Sequence, residues 1–383
     1  MKISTIKNKW VEVMGQGTWR YYEAIISTVC TLFLKDNENP IGLIIIGASS
    51  GSKTTILNMF RKLPKAMTHV SDKFTPASFL TQACNIKKEE LENIDLIRKL
   101  PNRVLLVPDL APMFGKKEVE LKDNLSTLTR VMDGDGLSND GGGQGHREFN
   151  EECIFVMLGA IVQINKNQLK MISEMGTRLL FIRMDKIENS DFSDEFSKMI
   201  KESKGFQKGK KDLNEMTSEL IEYLMTLNNG LRNVEIQDLS DDVTHTISII
   251  GQLTSKLRAE YNKDLETLEQ REMPMRVMNQ LKNIAKGRAV VHQRNEVNLD
   301  DMRLLLDICL SSVSQCRGEI VRVMLDYSEK MVTKDLVELT NFKDTLVRNE
   351  FNNLAELMVL TKVIENGVDY WVLNKKLLPL SKL

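Results

Sequence analysis

Histidine and cysteine are scarce in this chain, with four histidines and five cysteines in 383 residues. The cysteines (Cys30, Cys84, Cys153, Cys309, Cys316) are scattered. They form no C-x-x-C pair and have no histidine at ligand spacing, so neither a zinc framework nor a disulfide scaffold is written into the sequence. Buried free thiols in a reducing cytosol are expected instead. Net charge is also missing: 52 basic residues against 53 acidic ones leave −1, so any nucleic-acid contact must be a local patch and not a property of the whole surface. Long apolar runs are absent. The longest, Ala24 to Leu34, is interrupted by serine and threonine and falls short of the roughly 20 residues a bilayer span needs. The N-terminus shows no signal-peptide pattern, and the expectation is a soluble, cytoplasmic protein with no membrane partner. The length allows two or three domains, each with its own core.

What is present begins at Ile41-Gly-Leu-Ile-Ile-Ile-Gly47-Ala48-Ser49-Ser50-Gly51-Ser52-Lys53-Thr54-Thr55. A short β-branched run suits a buried strand. The small residues after it allow backbone N–H groups to close around phosphate oxygens. In the P-loop pattern G-x-x-x-x-G-K-[ST], Lys53 would reach the β- and γ-phosphates and Thr54 would hold Mg²⁺, with ATP as the cofactor. Ser52 stands where that pattern has glycine. An ordinary Gly/Ser turn would not require Lys53-Thr54 at this position, nor the helical spacing of Ile56, Leu57, Met59 and Phe60 that follows.

Residues 1–40 read as helical, with Trp10, Val13, Tyr22, Ile25, Ile26, Val29, Leu32 and Phe33 at helix spacing. Strands and helices then alternate over 41–213 in α/β fashion. The candidate strands are 43–46, 103–107, 154–158 and 178–182, short and apolar as in a parallel sheet buried on both faces. The lysine-rich interval 186–213, with Gly205-Phe-Gln-Lys-Gly-Lys-Lys at its centre, predicts an exposed connector or loop. Residues 214–313 are helical almost throughout. The tail, 314–383, predicts helices over 318–327, 333–339 and 343–357 and then a hairpin turning at Asn366-Gly367, a combination that suggests a winged helix.

Arg103-Val-Leu-Leu-Val-Pro-Asp109 is a hydrophobic strand ending in a carboxylate some fifty residues after the P-loop, where an Asp helps hold Mg²⁺ in P-loop NTPases. Many such enzymes place a glutamate next, as base for the attacking water. Here the next residue is Leu110, which puts hydrolysis in question. Asp133 and Asp135 are alternative carboxylates in a glycine-flanked setting that fits a turn. Asp133 through Arg147 is too rich in glycine for an element interior and predicts a loop or hairpin tip, with His146 and Arg147 offered to a phosphate backbone or simply solvated.

The order of these motifs resembles the AAA+ core of MCM-type replicative helicases. That family's P-loop has the form G-D-P-x-x-A-K-S, so Ser52 is similar to its small residue before the lysine. Thr127-Leu-Thr-Arg-Val-Met-Asp133 is similar to the helix ahead of the hairpin that contacts DNA in the hexamer channel, which implies a DNA-contacting tip at Gln144, His146 and Arg147. Met175-Gly-Thr-Arg178 resembles S-R-F-D, which implies that Arg178 is an arginine finger acting in trans; Glu174 and Arg183 are weaker candidates. Met273-Pro-Met-Arg276-Val-Met-Asn-Gln-Leu resembles the lid segment T-x-R-Q-L-E and implies that Arg276 is the sensor 2 arginine. The asparagine of sensor 1 has no obvious counterpart. Ile161 or Val162 falls nearest, with Gln163 or Asn165 as polar substitutes. The resemblance implies an α/β fold, an AAA+ P-loop NTPase core with helical lid and C-terminal winged helix, and a divergent relative of the mobile-element or plasmid type. In the winged helix, Lys343, Arg348, Asn349, Asn352 and Asn353 would face DNA, among the acidic Asp344, Glu350 and Glu356.

Two main readings follow. In the first, the protein is an ATP-dependent helicase or translocase on single-stranded or forked DNA, working as a homo-oligomeric ring, most simply a hexamer. In the second, Leu110 has removed the base and the protein is a slow or non-hydrolysing ATP-binding initiator, loader or scaffold. A signalling NTPase with a winged helix is a third class.

Overall fold

The computed structural model describes residues 1–49, 52–72, 75, 78–83, 86–141, 145–174, 176, 178–185, 203–259, 261–262, 267–268, 273–327 and 330–383. Helices α1 (Ile3–Met14) and α2 (Trp19–Val29) precede β1 (Ile41–Ile46). Next come α3 (Lys53–Asn58), β2 (Thr68–Val70), α4 (Lys88–Ile94), β3 (Val104–Val107), α5 (Ala111–Phe114) and α6 (Glu118–Val131). A hairpin of β4 (Leu137–Gly141) and β5 (Gly145–Phe149) leads to β6 (Val156–Ile161), α7 (Lys166–Glu174) and β7 (Leu179–Arg183). Helices α8 (Ser203–Leu227) and α9 (Asp241–Arg258) follow, then the short pairing of β8 (Tyr261–Asn262) with β9 (Thr267–Leu268). The remainder is α10 (Met275–Val291), α11 (Met302–Ser311), α12 (Gln315–Tyr327), α13 (Thr333–Thr340), α14 (Asp344–Glu356), and a hairpin of β10 (Leu360–Glu365) and β11 (Val368–Leu373).

Packing divides the chain into two units. The first comprises Met1–Ile164, Ile182–Gln237 and Lys286–Glu296; the second comprises Asn165–Phe181, Asp238–Ala285 and Val297–Leu383. The five-stranded sheet has the order β2-β3-β6-β1-β7; its first four strands lie in the first unit, with β2 and β3, β3 and β6, and β6 and β1 parallel. Every residue of β1, β3 and β6 is buried, as expected where helices cover both faces of a parallel sheet. Strand β2 was not anticipated, because Thr68-His-Val is short, half-exposed and polar at two of its three positions.

Helix α2 is buried along nearly its whole length and packs on β1 and β6. Trp10, Tyr22 and Phe60 form an aromatic chain, with ring centroids 4.5 and 5.5 Å apart at successive contacts, and the Tyr22 hydroxyl meets Thr217 Oγ1 at 3.0 Å. The first forty residues thus share the core of the sheet unit.

One expectation is corrected here. Gly205 to Lys211, read as connector, lies inside the 25-residue helix α8. Two glycines cost a helix about 1 kcal/mol each, but a Cβ at Gly209 would sit 2.6 Å from Val13 Cγ2, so this glycine permits the close crossing of α8 on α1. The preceding stretch, 186–202, lies outside the described residues.

In the second unit α9, α11 and α12 pack together. The Arg317 guanidinium, 1% exposed, donates to the carbonyls of Leu257 (2.7 Å) and Ala259 (2.8 Å) and to Glu350 Oε2 (3.0 Å). Glu350 is therefore turned inward from α14 and not displayed beside Arg348. Strands β10 and β11 pair antiparallel around Asn366 and Gly367, both at positive φ as a type I′ turn requires, and Trp371 stacks on Phe351 at 4.8 Å. Among the described residues no helix is long and apolar enough to cross a membrane, and no cluster of three or more potential metal ligands occurs. Cys30, Cys153 and Cys309 are free thiols, buried as Cys316 is, and burial pushes the Cys153 thiol up to about 12; Cys84 lies outside the described residues.

Candidate functional site

Strand β1 delivers Gly47 and the loop after it to the carboxyl end of the sheet, the edge at which open α/β sheets bind ligands. Helix α3 begins at Lys53, so strand, loop and helix follow one another as the sequence implied. Ala48, Ser49 and Thr54 are exposed and Thr55 is half-exposed, whereas Gly47 is buried and Lys53 is 8% exposed; Ser50 and Gly51 lie outside the described residues. The Lys53 ammonium curls back onto its own loop and donates to the carbonyls of Gly47 (2.7 Å) and Ala48 (2.5 Å). Burial pushes the Lys53 pKa down, and the Asp109 carboxylate pulls it the other way, so these two side chains lie within each other's field.

Ser52 adopts φ 66°, ψ 3°, the left-handed region, at the position where the phosphate-loop pattern has glycine. That conformation costs a non-glycine residue about 1–2 kcal/mol. Ser52 holds this conformation although it carries a Cβ, which stores strain next to the lysine.

Strand β6 brings the Lys53 loop and the end of β3 to the same edge of the sheet. It lies between β1 and β3, and its last residues hold both neighbours: Ile161 O accepts from Gly47 N at 3.2 Å, and Ala160 O accepts from Leu110 N at 2.8 Å. Asp109 is exposed just beyond β3, its Oδ1 accepting from Ala111 N at 2.9 Å. The donor set fits Mg²⁺, which typically takes one or two protein oxygens and fills its remaining positions with water and phosphate. Thr54 offers a hydroxyl, and Asp109 keeps an oxygen beyond the one capping Ala111.

Leu110 is 1% exposed and packs so closely over Gly159 that a Cβ there would lie 2.6 Å from Leu110 Cδ1. This position is part of the core, which leaves Asp109 as the one carboxylate between Arg103 and Lys117. Asp133 and Asp135 do not substitute. Their turn lies at the opposite edge of the sheet, where Cys153 N bonds Gly134 O (2.8 Å) and a Cβ at Gly134 would lie 3.0 Å from Pro40 and 3.2 Å from Ile154. Those residues precede β1 and β6, roughly 17 Å of strand away from Lys53. Both carboxylates face Arg130 instead, at 3.7 and 3.9 Å.

Of the sensor 1 substitutes, Asn165 is committed elsewhere: it exchanges caps with Gln168 at the start of α7, at 2.9 Å in each direction. Ile161 is buried as the last residue of β6, Val162 is 44% exposed, and Gln163 is exposed just beyond the strand. Arg178 belongs to the second unit, immediately before β7, and its carbonyl accepts from Gln280 Nε2 at 3.2 Å. Arg276 is half-exposed in the first turn of α10, in the same unit.

The glycine-rich segment forms the expected hairpin, with Asp140 opposite His146 and Asn139 opposite Arg147. Gln144 lies outside the described residues. Arg147 corrects the sequence reading. It is 4% exposed, and its guanidinium grips the fully buried Asp95, with Nη2 to Oδ2 at 2.7 Å and Nη1 to Oδ1 at 3.2 Å, and also donates to Thr81 O. A cation so enclosed is no phosphate contact. Asp95, an acid between Ile94 and Leu96, was the sequence signal for this pair.

His146 is exposed, with Asp140 Oδ1 at 2.8 Å and Glu148 Oε2 at 3.2 Å. These carboxylates hold its pKa above the ordinary value near 6.5. The stabilisation of the hairpin that comes from this proton is therefore complete below the unfolded value and is lost as pH rises through the folded one. An NMR titration is expected to show the His146 midpoint above 6.5 and to return it toward that value in Asp140→Asn; a normal midpoint in the parent protein would contradict the geometry. Lys343 is exposed just before α14, and exposed Arg348 is bonded through Nε to Asp344 Oδ1 (2.5 Å) and through Nη2 to Oδ2 (3.1 Å).

No family profile matches the chain, and no curated protein matches it. Among solved structures, the chain superposes with a candidate ATPase from Cytophaga hutchinsonii at TM-score 0.42 and 16% identity, over 80% of this chain and 87% of that one. It also superposes with an active helicase, the SCCmec type IV Cch protein, at TM-score 0.36 and 12% identity, over 100% of this chain and 72% of the other. Both likenesses are too distant in geometry to assign a fold or an activity.

Proposed function

We propose that the protein is an ATP-dependent, DNA-translocating AAA+ ATPase of MCM-like type acting in DNA replication, assembled as a ring with nucleotide between subunits. One observation carries the proposal: the Lys53 loop and the Asp109 strand end share the carboxyl edge of a parallel sheet, two strands apart, close enough for the carboxylate to act on the lysine. A phosphate oxygen competes well for the ammonium, since its negative charge adds a coulombic attraction that the neutral carbonyls of Gly47 and Ala48 lack. Bound nucleotide would supply the transferable phosphoryl group and Mg²⁺ the charge neutralisation. Lys53 holds the phosphates, and Thr54 and Asp109 hold the metal. Gln163 is the proposed polar substitute for sensor 1. Arg178 is the proposed finger toward a neighbouring subunit and Arg276 the sensor of the lid. In this reading the lid is drawn from residues 214–313 and a winged helix from 314–383. DNA contacts come from the hairpin around Gln144 and His146, and from Lys343 and Arg348, whose ion pair with Asp344 is exposed and cheap to exchange. A hexamer is the simplest ring.

The burial of Leu110 favours a second reading, a slow or non-hydrolysing ATP-binding initiator, loader or scaffold on DNA. ATP turnover with and without single-stranded DNA separates the two. The motor reading expects DNA-stimulated hydrolysis that falls about 10²-fold in Lys53→Ala, in line with the loss of one electrostatic contact to a reacting group. Tight ATP binding without turnover in the parent protein would favour the second reading, and absence of nucleotide binding would remove both.

A further inference from the structure

The sequence requires that any nucleic-acid contact be local, and acids occupy two of the places first considered for it: Asp95 encloses Arg147, and Asp344 pairs with Arg348. Cations outnumber acids at a different place in the first unit. A cleft of about 570 Å³ runs between the end of α3 and the start of α8, lined by Arg61, Lys62, Lys210 and Lys211 against a single carboxylate, Glu215. Lys211 sits 3.8 Å from Glu215, and Arg61 is 4.0 Å from the exposed Asp72. Among the described residues Lys62 and Lys210 have no carboxylate within ion-pair distance.

The cleft is built and not incidental. Gln207, Lys210, Lys211, Asn214 and Glu215 recur at the i, i+3, i+4, i+7 and i+8 spacing of one helix face, the face opened when the supposed connector proved to be helix. Asn214 Nδ2 bonds Asn58 O at 2.8 Å and pins α8 to the end of α3. The remaining walls are the apolar Met59 and, besides Asn214, the neutral hydrogen-bonding Thr55, Asn58 and Gln207, groups of the kind that share phosphate and sugar contacts with lysine and arginine. Beside the cleft, Lys210 Nζ lies over the ring of half-buried Phe206, 4.1 Å from its centroid, a site at which a base could replace the ammonium as it moves to a phosphate. Burial pushes the Lys210 pKa down, so its charge is underpaid by water and gains from an anion.

We infer that this cleft binds the backbone of single-stranded nucleic acid, with Arg61, Lys62 and Lys210 on phosphates and Phe206 available to stack a base. The pairing of a basic track with an aromatic platform fits a nucleic-acid strand better than an acidic peptide, which has no base to stack. The inference rests on the DNA reading of the proposed function and adds a site that neither the hairpin nor the C-terminal helices supply.

The test uses the full chain and a fluorescein-labelled oligo(dT) strand, with affinity read by anisotropy across a salt series. In Arg61→Gln/Lys62→Gln/Lys210→Gln, losing three phosphate contacts is expected to make the log–log slope shallower by about 2 and to weaken binding about 100-fold near 0.1 M salt. The thermal midpoint and ATP affinity of the variant should match the parent's. A control with Lys116, Lys122 and Lys334 changed to Gln should keep the parental slope. Parental binding in the triple variant, or equal losses in both sets, overturns the cleft while leaving the DNA reading intact. Displacement of oligo(dT) by polyglutamate at equal charge concentration overturns the nucleic-acid assignment. No binding by the parent protein removes the DNA reading itself.

Discussion

Arg178→Ala is expected to hydrolyse ATP about 10³- to 10⁵-fold more slowly than the parent protein, the range an arginine finger supplies to phosphoryl transfer. Its ATP affinity should change little, because the cation acts on charge that develops in the transition state, whereas the ground-state phosphates are held by Lys53. The measurement is a pair: turnover under saturating ATP, and nucleotide binding at equilibrium. Mixing adds the architectural test. If the finger acts in trans, subunits carrying Arg178→Ala and subunits carrying Lys53→Ala should regain part of the lost turnover together, since some interfaces then contain one intact copy of each group. Equal losses of affinity and rate, or mixtures no more active than either variant alone, would remove Arg178 from the site and leave it the carbonyl anchor for Gln280 seen here.

The second large effect is on stability. Arg147→Ala removes the closer, fully buried partner of the Asp95 carboxylate and leaves it only Arg98 Nε at 3.5 Å, so the loss is expected at the lower end of what breaking a buried pair from one side costs, about 3 kcal/mol. Urea unfolding of the first unit should shift to markedly lower midpoint. Asp95→Asn/Arg147→Met should recover much of the loss, because removing both charges also removes their desolvation cost. Asp95 carries the further tie of Thr81 N, at 2.9 Å, so the pair locks β5 to the segment around residues 81–95. A near-normal midpoint in Arg147→Ala, accompanied by weaker DNA binding, would return this arginine to the role the sequence alone had suggested.

Much of the α/β unit was legible in advance because its signals are local. A buried parallel strand is a short β-branched run, and the runs near Leu43, Val104, Val156 and Leu179 stand at strands in the structure. Asn366-Gly367 announces its hairpin because few residues other than glycine and asparagine take positive φ at both central positions of such a turn. Local composition misled where tertiary contact overrides propensity. Gly205 to Lys211 looks like a loop, yet Gly209 lies against Val13, where a Cβ would not fit, and Lys210 and Lys211 share one helix face. Strand β2 was missed because three half-polar residues give no periodicity to read.

The sequence by itself determined the chemical inventory: a small-residue loop ending in Lys53-Thr54, a strand ending in Asp109, a glycine-rich hairpin, and the absence of a carboxylate after Asp109. Each of these is a matter of residue type and spacing. Only the tertiary structure decided which groups meet. It set β6 between β1 and β3, so that Asp109 acts on Lys53 while Asp133 and Asp135 fall at the far edge of the sheet. It also buried Arg147 on Asp95, made Leu110 core, forced Ser52 into the left-handed region, and gathered Arg61, Lys62 and Lys210 into one cleft. The physical reason is that charge and backbone strain are properties of place. A cation buried against a carboxylate and one lining an open cleft are the same residue type in sequence, and they differ only in the neighbours and the water that the fold leaves around them.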